Sequence, residues 1–346
     1  MNKIKNIFKK ENDKSFIVAE LSGNHSGSLT IAKKIIAQSK NNGADAIKLQ
    51  TFDLESMTLN SNKKIFKIKE GKWRNLKLYD LYKKAQTPLK WHKEIFSYSK
   101  KIGIICFSTP FDIKSLKLLE SLDCPIYKIS SFEVTDLILL KEIAKTKKPI
   151  IMSTGMAELS EINEAINILK KNGTKSICLL HCISEYPANF SNSNLQNIEI
   201  MKKKFNLPMG VSDHSTDNKI AISSYFLGAR VFEKHIRLNK NLKSVDDFFS
   251  ITVDELKILR KELDMIKDFK VKKTFLRTKN EIKNRIYRRS IFSTKVIKKG
   301  EKLTILNTRV VRPNIGIQPK MYKNILGRSV NKNLDTHTPI KFKDLK

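Results

Sequence analysis

Short apolar, β-branched runs alternate with amphipathic stretches of helical period along most of the chain. The runs that predict strands are SFIVAEL (15–21), AIKLQT (46–51), GIICFST (103–109), IYKISS (126–131), PIIMST (149–154), SICLLHC (176–182), PMGVSDHS (208–215) and VFEKHIR (231–237). Helical segments lie between most of them, among them LTIAKKIIAQSKNNGA, DIKSLKLLESLDC and LSEINEAINILKKNG, the last stopping at Gly173. Eight strand–helix units within residues 1–267 predict an α/β fold of the (β/α)8 TIM-barrel type. A doubly wound sheet is the alternative, but no glycine-rich phosphate fingerprint follows the first strand.

One connection is far longer than the rest. Residues 52–90, between the second and third strands, form an excursion at a strand's carboxyl end, a place where long loops are usually functional or act as lids. Residues 268–283 (DFKVKKTFLRTKNEIK) read as a charged linker. Residues 284–346 carry short strands and Gly/Pro turns without long helices, which predicts a small, separate β-rich domain.

Composition changes this picture little. The formal charge of +33 raises the question of nucleic acid, but the lysines are spread over the whole chain among Asn and Ile, without aromatic–basic clustering. AT-rich codons account for that mixture, so neither nucleic acid nor membrane is an expected partner. A basic surface would still draw in an acidic, phosphorylated substrate. No run of ~20 apolar residues could span a bilayer, and the segment MNKIKNIFKKENDKS lacks the apolar stretch of a secretory signal. Cys106, Cys124, Cys178 and Cys182 sit in or beside apolar runs with no CxxC pair, which predicts reduced thiols and a cytoplasmic protein.

The chemistry gathers at strand ends, where barrels of this type place their active sites. The polar residues there are Glu20, Lys48 with Gln50, Ser108 with Thr109, Lys128 with Ser130 and Ser131, Ser153 with Thr154, His181 with nearby Tyr186, Ser212 with His214, and Glu233 with His235. Strand alternation turns Ser212 and His214 to one side and Asp213 to the other; it likewise separates Glu233 and His235 from Lys234. If VSDHS and FEKHI are neighbouring parallel strands, the two imidazoles lie a few ångströms apart and suit a divalent metal with open positions. The lysines and hydroxyls make a cradle for phosphate or carboxylate.

Other residues carry plainer readings. His92, on a helix after Trp91, is read as surface or packing, and His337 as a turn residue. Asn24 and His25 either hold the loop after the first strand or touch substrate. His181 is read as a packed barrel residue that hydrogen-bonds its neighbours. Cys106 and Cys182 are near strand ends, but with no activating partner legible they are read as core.

The motifs AELSGNHSGS, GADAIKLQT, FSTPFD, YKISSFE, STGM, LLHCISEYP, VSDHS, LGARVFEKHI, RRSIFSTKVIKKGE and RPNIGIQP run in this order through nearly the whole chain. Together they resemble the N-acetylneuraminate (sialic acid) synthase family, whose members carry an antifreeze-like (SAF) domain after a (β/α)8 barrel. The family condenses phosphoenolpyruvate (PEP) with an acylated amino sugar in its open aldehyde form and releases phosphate. The resemblance implies that Lys48, Thr109, Lys128, Ser131, Ser153 and Ser212 hold PEP. It implies that His214 and His235 bind a divalent metal, usually manganese or magnesium, with Glu20 a candidate acid/base beside it. Gln50, Glu133, Tyr186, Asp246 and Arg312 would contact the sugar, with Arg312 reaching the partner's site in a domain-swapped homodimer.

Within the family, the WRNLKLYDLYKKAQTP part of the excursion and the segment SVDDFFSI look like those of pseudaminate-forming members. The implied substrate is 2,4-diacetamido-2,4,6-trideoxy-altrose, with legionaminate or N-acetylneuraminate synthesis as the alternative. Two positions depart from the family pattern. Ser184 replaces the Asn common in sialate synthases, and His337 stands where a Gly is usual. The rival readings are an aldolase that uses Lys48 or Lys128 as a Schiff base and a basic nucleic-acid-binding protein.

Overall fold

All eight predicted runs form strands in the computed structural model, which describes residues 2–9, 13–269 and 275–346. They are β1 (Phe16–Glu20), β2 (Ala46–Thr51), β3 (Ile105–Pro110), β4 (Tyr127–Ile129), β5 (Ile150–Ser153), β6 (Ile177–Cys182), β7 (Met209–Asp213) and β8 (Ala229–Arg237). Neighbours in sequence are neighbours in the sheet, and β1 pairs in parallel with both β2 and β8, so the sheet closes into a barrel. A two-residue strand, β9 (Ile251–Thr252), pairs with the end of β8.

The strand bodies read as unbroken apolar runs because one face fills the barrel and the other packs on helices. Phe16, Ile17, Val18 and Ala19 of β1, for example, are all buried. Several helices begin on side-chain caps that take up free backbone N–H groups. Ser28 accepts from Ile31 N, Asp112 accepts from Ser115 N, and Thr252 with Glu255 forms a reciprocal capping box at the start of Val253–Ile266.

Several boundaries move for local reasons. The helical reading of 29–44 stops at Asn41, since Gly43 takes φ 95° to turn the chain into β2. β4 ends at Ile129 because Ser131–Glu133 coil into a 3-10 turn. The long excursion is not featureless: it holds the helices Leu54–Met57 and Leu78–Ala85 and a bridge between Lys67 and Lys77.

The chain divides into two compact units, residues 1–269 and 270–346. In the second, β10 (Ser290–Ser293) pairs antiparallel with β11 (Thr308–Val311) around a small core of Ile291, Ile297, Leu303, Ile317, Val330, Leu334 and Ile340. Of the linker expected over 268–283, residues 270–274 lie outside the described residues, while Lys279–Lys283 form a short helix with its own capping box. His337 sits at φ 59°, a left-handed turn position that explains why a glycine would serve there equally well. Among the described residues no helix is long and apolar enough to cross a membrane.

The register between β7 and β8 shifts at Gly210, which packs tightly against Val231 of β8. A Cβ there would lie 2.8 Å from Val231 Cβ and would also strike Val231 O and Leu180. Gly210→Ala is therefore expected to destabilise the barrel by about 1–3 kcal/mol, as overpacking does, measured by urea denaturation; unchanged stability would contradict this contact.

Candidate active site

The strand register assembles a cluster of charged groups inside the barrel. Glu20 lies opposite Lys48 on one side and His235 on the other, and Ser212 lies opposite Glu233. Glu20 and Lys48 form a close ion pair. Glu233 Oε1 stands 3.6 Å from Lys48 Nζ and 3.8 Å from Lys128 Nζ, and accepts from Ser212 Oγ at 3.2 Å. Lys128 Nζ donates to Ser153 Oγ at 2.6 Å, and Lys48 Nζ donates to Thr109 Oγ1 at 3.4 Å. All of these residues are buried.

Burial and pairing set their ionisation. Burial pushes the Glu20 carboxyl up to about 7, against the pull of Lys48. Burial also acts to strip the proton from Lys48, but Glu20 and Glu233 outweigh it and raise its pKa. Burial lowers the pKa of Lys128. Burial would raise Glu233, yet Lys128 and Lys48 hold it below the ordinary carboxylate range. Lys48 and Glu233 are thus held in their charged forms, while Glu20 titrates near neutrality, as suits a group that takes and returns a proton.

Beside this cluster the two histidines face each other, ring centroids 5.2 Å apart. His214 follows the last residue of β7, and its Nδ1 lies 2.9 Å from Ile183 O. Burial would lower the His214 pKa, but Cys182 and the Ile183 carbonyl outweigh it and raise it; the neutral ring with its proton on Nδ1 would present a lone pair at Nε2. Among the described residues His235 Nδ1 is buried without a hydrogen-bond partner, 4.0 Å from Asp246 Oδ2. Burial and the neighbouring His214, Lys48, Lys234 and Lys128 hold His235 well below its usual pKa, so it is a neutral imidazole. Phe249 and Tyr186 flank the pair, with ring centroids 4.8 Å from His235 and 4.4 Å from His214 respectively.

A polar chain runs along the other side of the site. Gln50 Nε2 donates to Ser22 Oγ at 3.0 Å, and Ser22 Oγ donates in turn to Asp246 Oδ2. Gly23 N also donates to Asp246 Oδ2, at 3.2 Å. Asn24 holds the neighbouring loop: its Nδ2 donates to Ile236 O at 3.0 Å and to Ser250 Oγ at 2.8 Å, while its Oδ1 accepts from Ser244 Oγ. Trp73 of the excursion donates from Nε1 to Val245 O at 3.2 Å and packs its ring 5.3 Å from Phe248. The excursion is thereby fastened to the segment that follows the second histidine.

The NeuB family model matches residues 35–274, and the SAF domain model matches residues 288–346. This chain belongs to the NeuB family. It is 41% identical to the pseudaminic acid synthase of Campylobacter jejuni over 96% of this chain and 97% of that protein. It is 40% identical to the N,N'-diacetyllegionaminic acid synthase of Campylobacter jejuni over 92% of this chain and 97% of that protein. Its fold matches the crystal structure of the N-acetylneuraminic acid synthetase of Leptospira borgpetersenii in complex with citrate. The TM-score is 0.70 at 31% identity, covering 78% of this chain and 90% of that one. The chain is a PEP-dependent nonulosonate synthase of the NeuB family.

NeuB-family membership implies a metal-dependent synthase, and the residues present fit a metal. Two buried imidazoles face each other, one with an unpartnered nitrogen and the other with a lone pair left free by its backbone contact. Among the described residues no group of three or more His, Cys, Asp or Glu could complete a closed site. A two-histidine set leaves the remaining positions to water or substrate.

Of the residues singled out from sequence, the fold brings Glu20, Lys48, Thr109, Lys128, Ser153 and Ser212 into one contact network. Gln50, Asp246, Tyr186 and the histidines adjoin it. Ser131 Oγ accepts from Gly155 N at 3.0 Å. Glu133 accepts from Ser130, and burial pushes its carboxyl up. Arg312 belongs to the second unit.

Cys182 requires a correction. Its Sγ lies 4.0 Å from His214 Nδ1, so a partner exists where none was legible. Burial pushes this thiol up, but His214 outweighs it and brings the pKa down to about 7. Burial keeps the Cys106 thiol protonated, as expected of core. His92 is wholly buried, with Nε2 2.8 Å from Thr51 Oγ1, and His181 Nε2 lies 2.7 Å from Ser193 O. His25 Nδ1 accepts from Gly27 N, which makes it a loop-holding residue.

Sequence reading did not assign roles to Glu233, Ser22, Trp73 or Gly155. Only Glu233 carried a signal, its shared parity with His235. Glu233 is the anion that balances both lysines. Glu233→Gln should therefore lower stability by about 3–5 kcal/mol, the cost of unpairing a buried charge. Inorganic phosphate should raise the thermal midpoint of the variant more than that of the wild type, and equal shifts in a scanning assay would count against an anion cradle here.

Proposed function

We propose that this NeuB-family chain condenses PEP with open-chain 2,4-diacetamido-2,4,6-trideoxy-altrose and water, giving pseudaminate and phosphate. The observation that carries the reading is the joining of two buried lysines and their hydroxyl neighbours to a facing pair of histidines at one end of the barrel. Lys48, Thr109, Lys128, Ser131, Ser153 and Ser212 would bind the phosphate and carboxylate of PEP. Gln50, Glu133, Tyr186 and Asp246 would orient the sugar.

A divalent metal held by His214 and His235, manganese or magnesium, would supply Lewis acidity at the aldehyde oxygen. The PEP methylene carbon bonds to the aldehyde carbon, and the enol-ether carbon becomes cationic. Water adds to that carbon while Glu20 takes its proton and passes it to the alkoxide left when the aldehyde π bond opened. The adduct then loses phosphate by carbon–oxygen cleavage, with Lys48 and Lys128 neutralising the departing anion. The aromatic residues Trp73, Tyr186, Phe248 and Phe249 keep bulk water from the cationic carbon.

The choice of sugar is supported by the SVDDFF segment, which supplies Asp246 and Phe249 to the site. Identities of 41% and 40% to the two Campylobacter synthases are too close to discriminate by themselves. A homodimer in which Arg312 acts on the partner's sugar completes the reading. Four free cysteines and the use of PEP agree with a cytoplasmic enzyme.

The test is incubation with PEP and each of three sugars, the diacetamido-trideoxy forms of altrose and mannose and N-acetylmannosamine, following phosphate release and product mass. The altrose compound should be used with the highest kcat/KM; preference for either of the others overturns the assignment. Chelation should abolish turnover and Mn2+ restore it, whereas His214→Ala should stay folded and inactive with Mn2+ present. Arg312→Ala should raise KM for sugar more than for PEP. Mixing it with a His235→Ala chain should recover activity through heterodimers, and none from demonstrably mixed dimers would exclude a shared site.

A further inference from the structure

The residues between the site-facing positions of β7 and β8 form a second cluster on the opposite side of the sheet. Asp213 and Lys234 lie opposite each other in the ladder, and Lys234 Nζ stands 2.9 Å from Asp213 Oδ2 with neither side chain exposed. The same ammonium donates to Ser215 O at 2.6 Å and to Asp217 O at 2.8 Å, with Ser215 Oγ at 3.4 Å. Asp213 Oδ1 accepts from Ser215 N at 2.8 Å. None of these atoms belongs to the charged cluster inside the barrel.

The position of this pair matters because β7 ends at Asp213. His214 and the residues after it have no strand ladder to hold them, yet His214 must keep a fixed place relative to His235. Lys234 stands in for the missing ladder. It satisfies two carbonyls of the segment that carries His214, and it is the residue immediately before His235. One buried cation therefore ties the backbone of one histidine to that of the other. A buried ion pair contributes little net stability compared with apolar residues of the same shape, because desolvation offsets the attraction. Its benefit must lie in fixing geometry.

We propose that Asp213 and Lys234 are positioning residues for the His214–His235 metal site, a role that rests on the metal reading given above. They touch neither substrate nor metal. They hold the Ser215–Asp217 segment so that both imidazoles are placed before the ion arrives.

The test is Mn2+ binding, read by the electron paramagnetic resonance signal of free Mn2+ without substrate or turnover. Replacing both partners, Asp213→Leu with Lys234→Met, leaves no charge unpaired but strands Ser215 N and the carbonyls of Ser215 and Asp217, so the thermal midpoint should fall while the chain stays folded. The Mn2+ dissociation constant should rise about 10–100-fold, as when groups supporting a metal ligand are removed. Asp213→Asn, which keeps the acceptor for Ser215 N, should weaken Mn2+ in the same direction. A folded variant of either kind with unchanged Mn2+ affinity overturns the proposal. In the wild-type chain the Ser215 amide, which donates to Asp213 Oδ1, should exchange equally slowly with and without Mn2+, and protection gained only on adding Mn2+ also overturns the proposal. Absence of any His214-dependent Mn2+ binding in the wild type would instead overturn the metal reading itself, and this inference with it.

Discussion

Charges can be buried inside a barrel only if they nearly cancel, and the interior of this one is built around that constraint. Glu233 sits between Lys48 and Lys128, and Glu20 pairs with Lys48. Removing water strengthens each of these attractions and makes any unpaired member costly. The cluster is also unfinished, since Glu20 titrates near neutrality while both lysines face hydroxyls able to share an anion. Glu20 is the group able to answer a change in this balance by gaining or losing a proton. The histidines, the polar chain through Ser22 and the aromatic wall are all arranged around that centre.

The barrel was legible because its strands are buried on both faces and its helices are amphipathic, so the two periods differ clearly. The strand-end chemistry was legible for a related reason: Lys48, Lys128 and Glu20 are polar residues at the ends of apolar runs, where a purely structural strand would place none. The opposed histidines followed from alternation once β7 and β8 are parallel neighbours, and their ring separation of 5.2 Å agrees with it.

The rest depended on contacts between distant parts of the chain. Ser22 bonds Asp246 across 224 positions, and Asn24 bonds Ser250 across 226. No local pattern marks such pairs. Trp73 looked like any aromatic in a long loop until the fold set it against Phe248 and Val245. Cys182 seemed to lack a partner because His214 reaches it only through the pairing of β6 with β7. Specificity is the hardest part to read, since the segment that supplies Asp246 and Phe249 is positioned by residues from β1 and from the excursion.

The alternation along β8 also governs how such an enzyme can change over generations. Glu233 and His235 share one side of the strand and Lys234 takes the other, so a shift of one residue exchanges the two sets. A single-residue insertion or deletion between Val231 and Glu233 would bring the ammonium of Lys234 into the barrel and turn Glu233 and His235 toward the helices. Substitutions in the loops after the strands carry no such penalty, because they leave the frame in register. The excursion and the SVDDFF segment can therefore change gradually, while the length of β8 is effectively frozen.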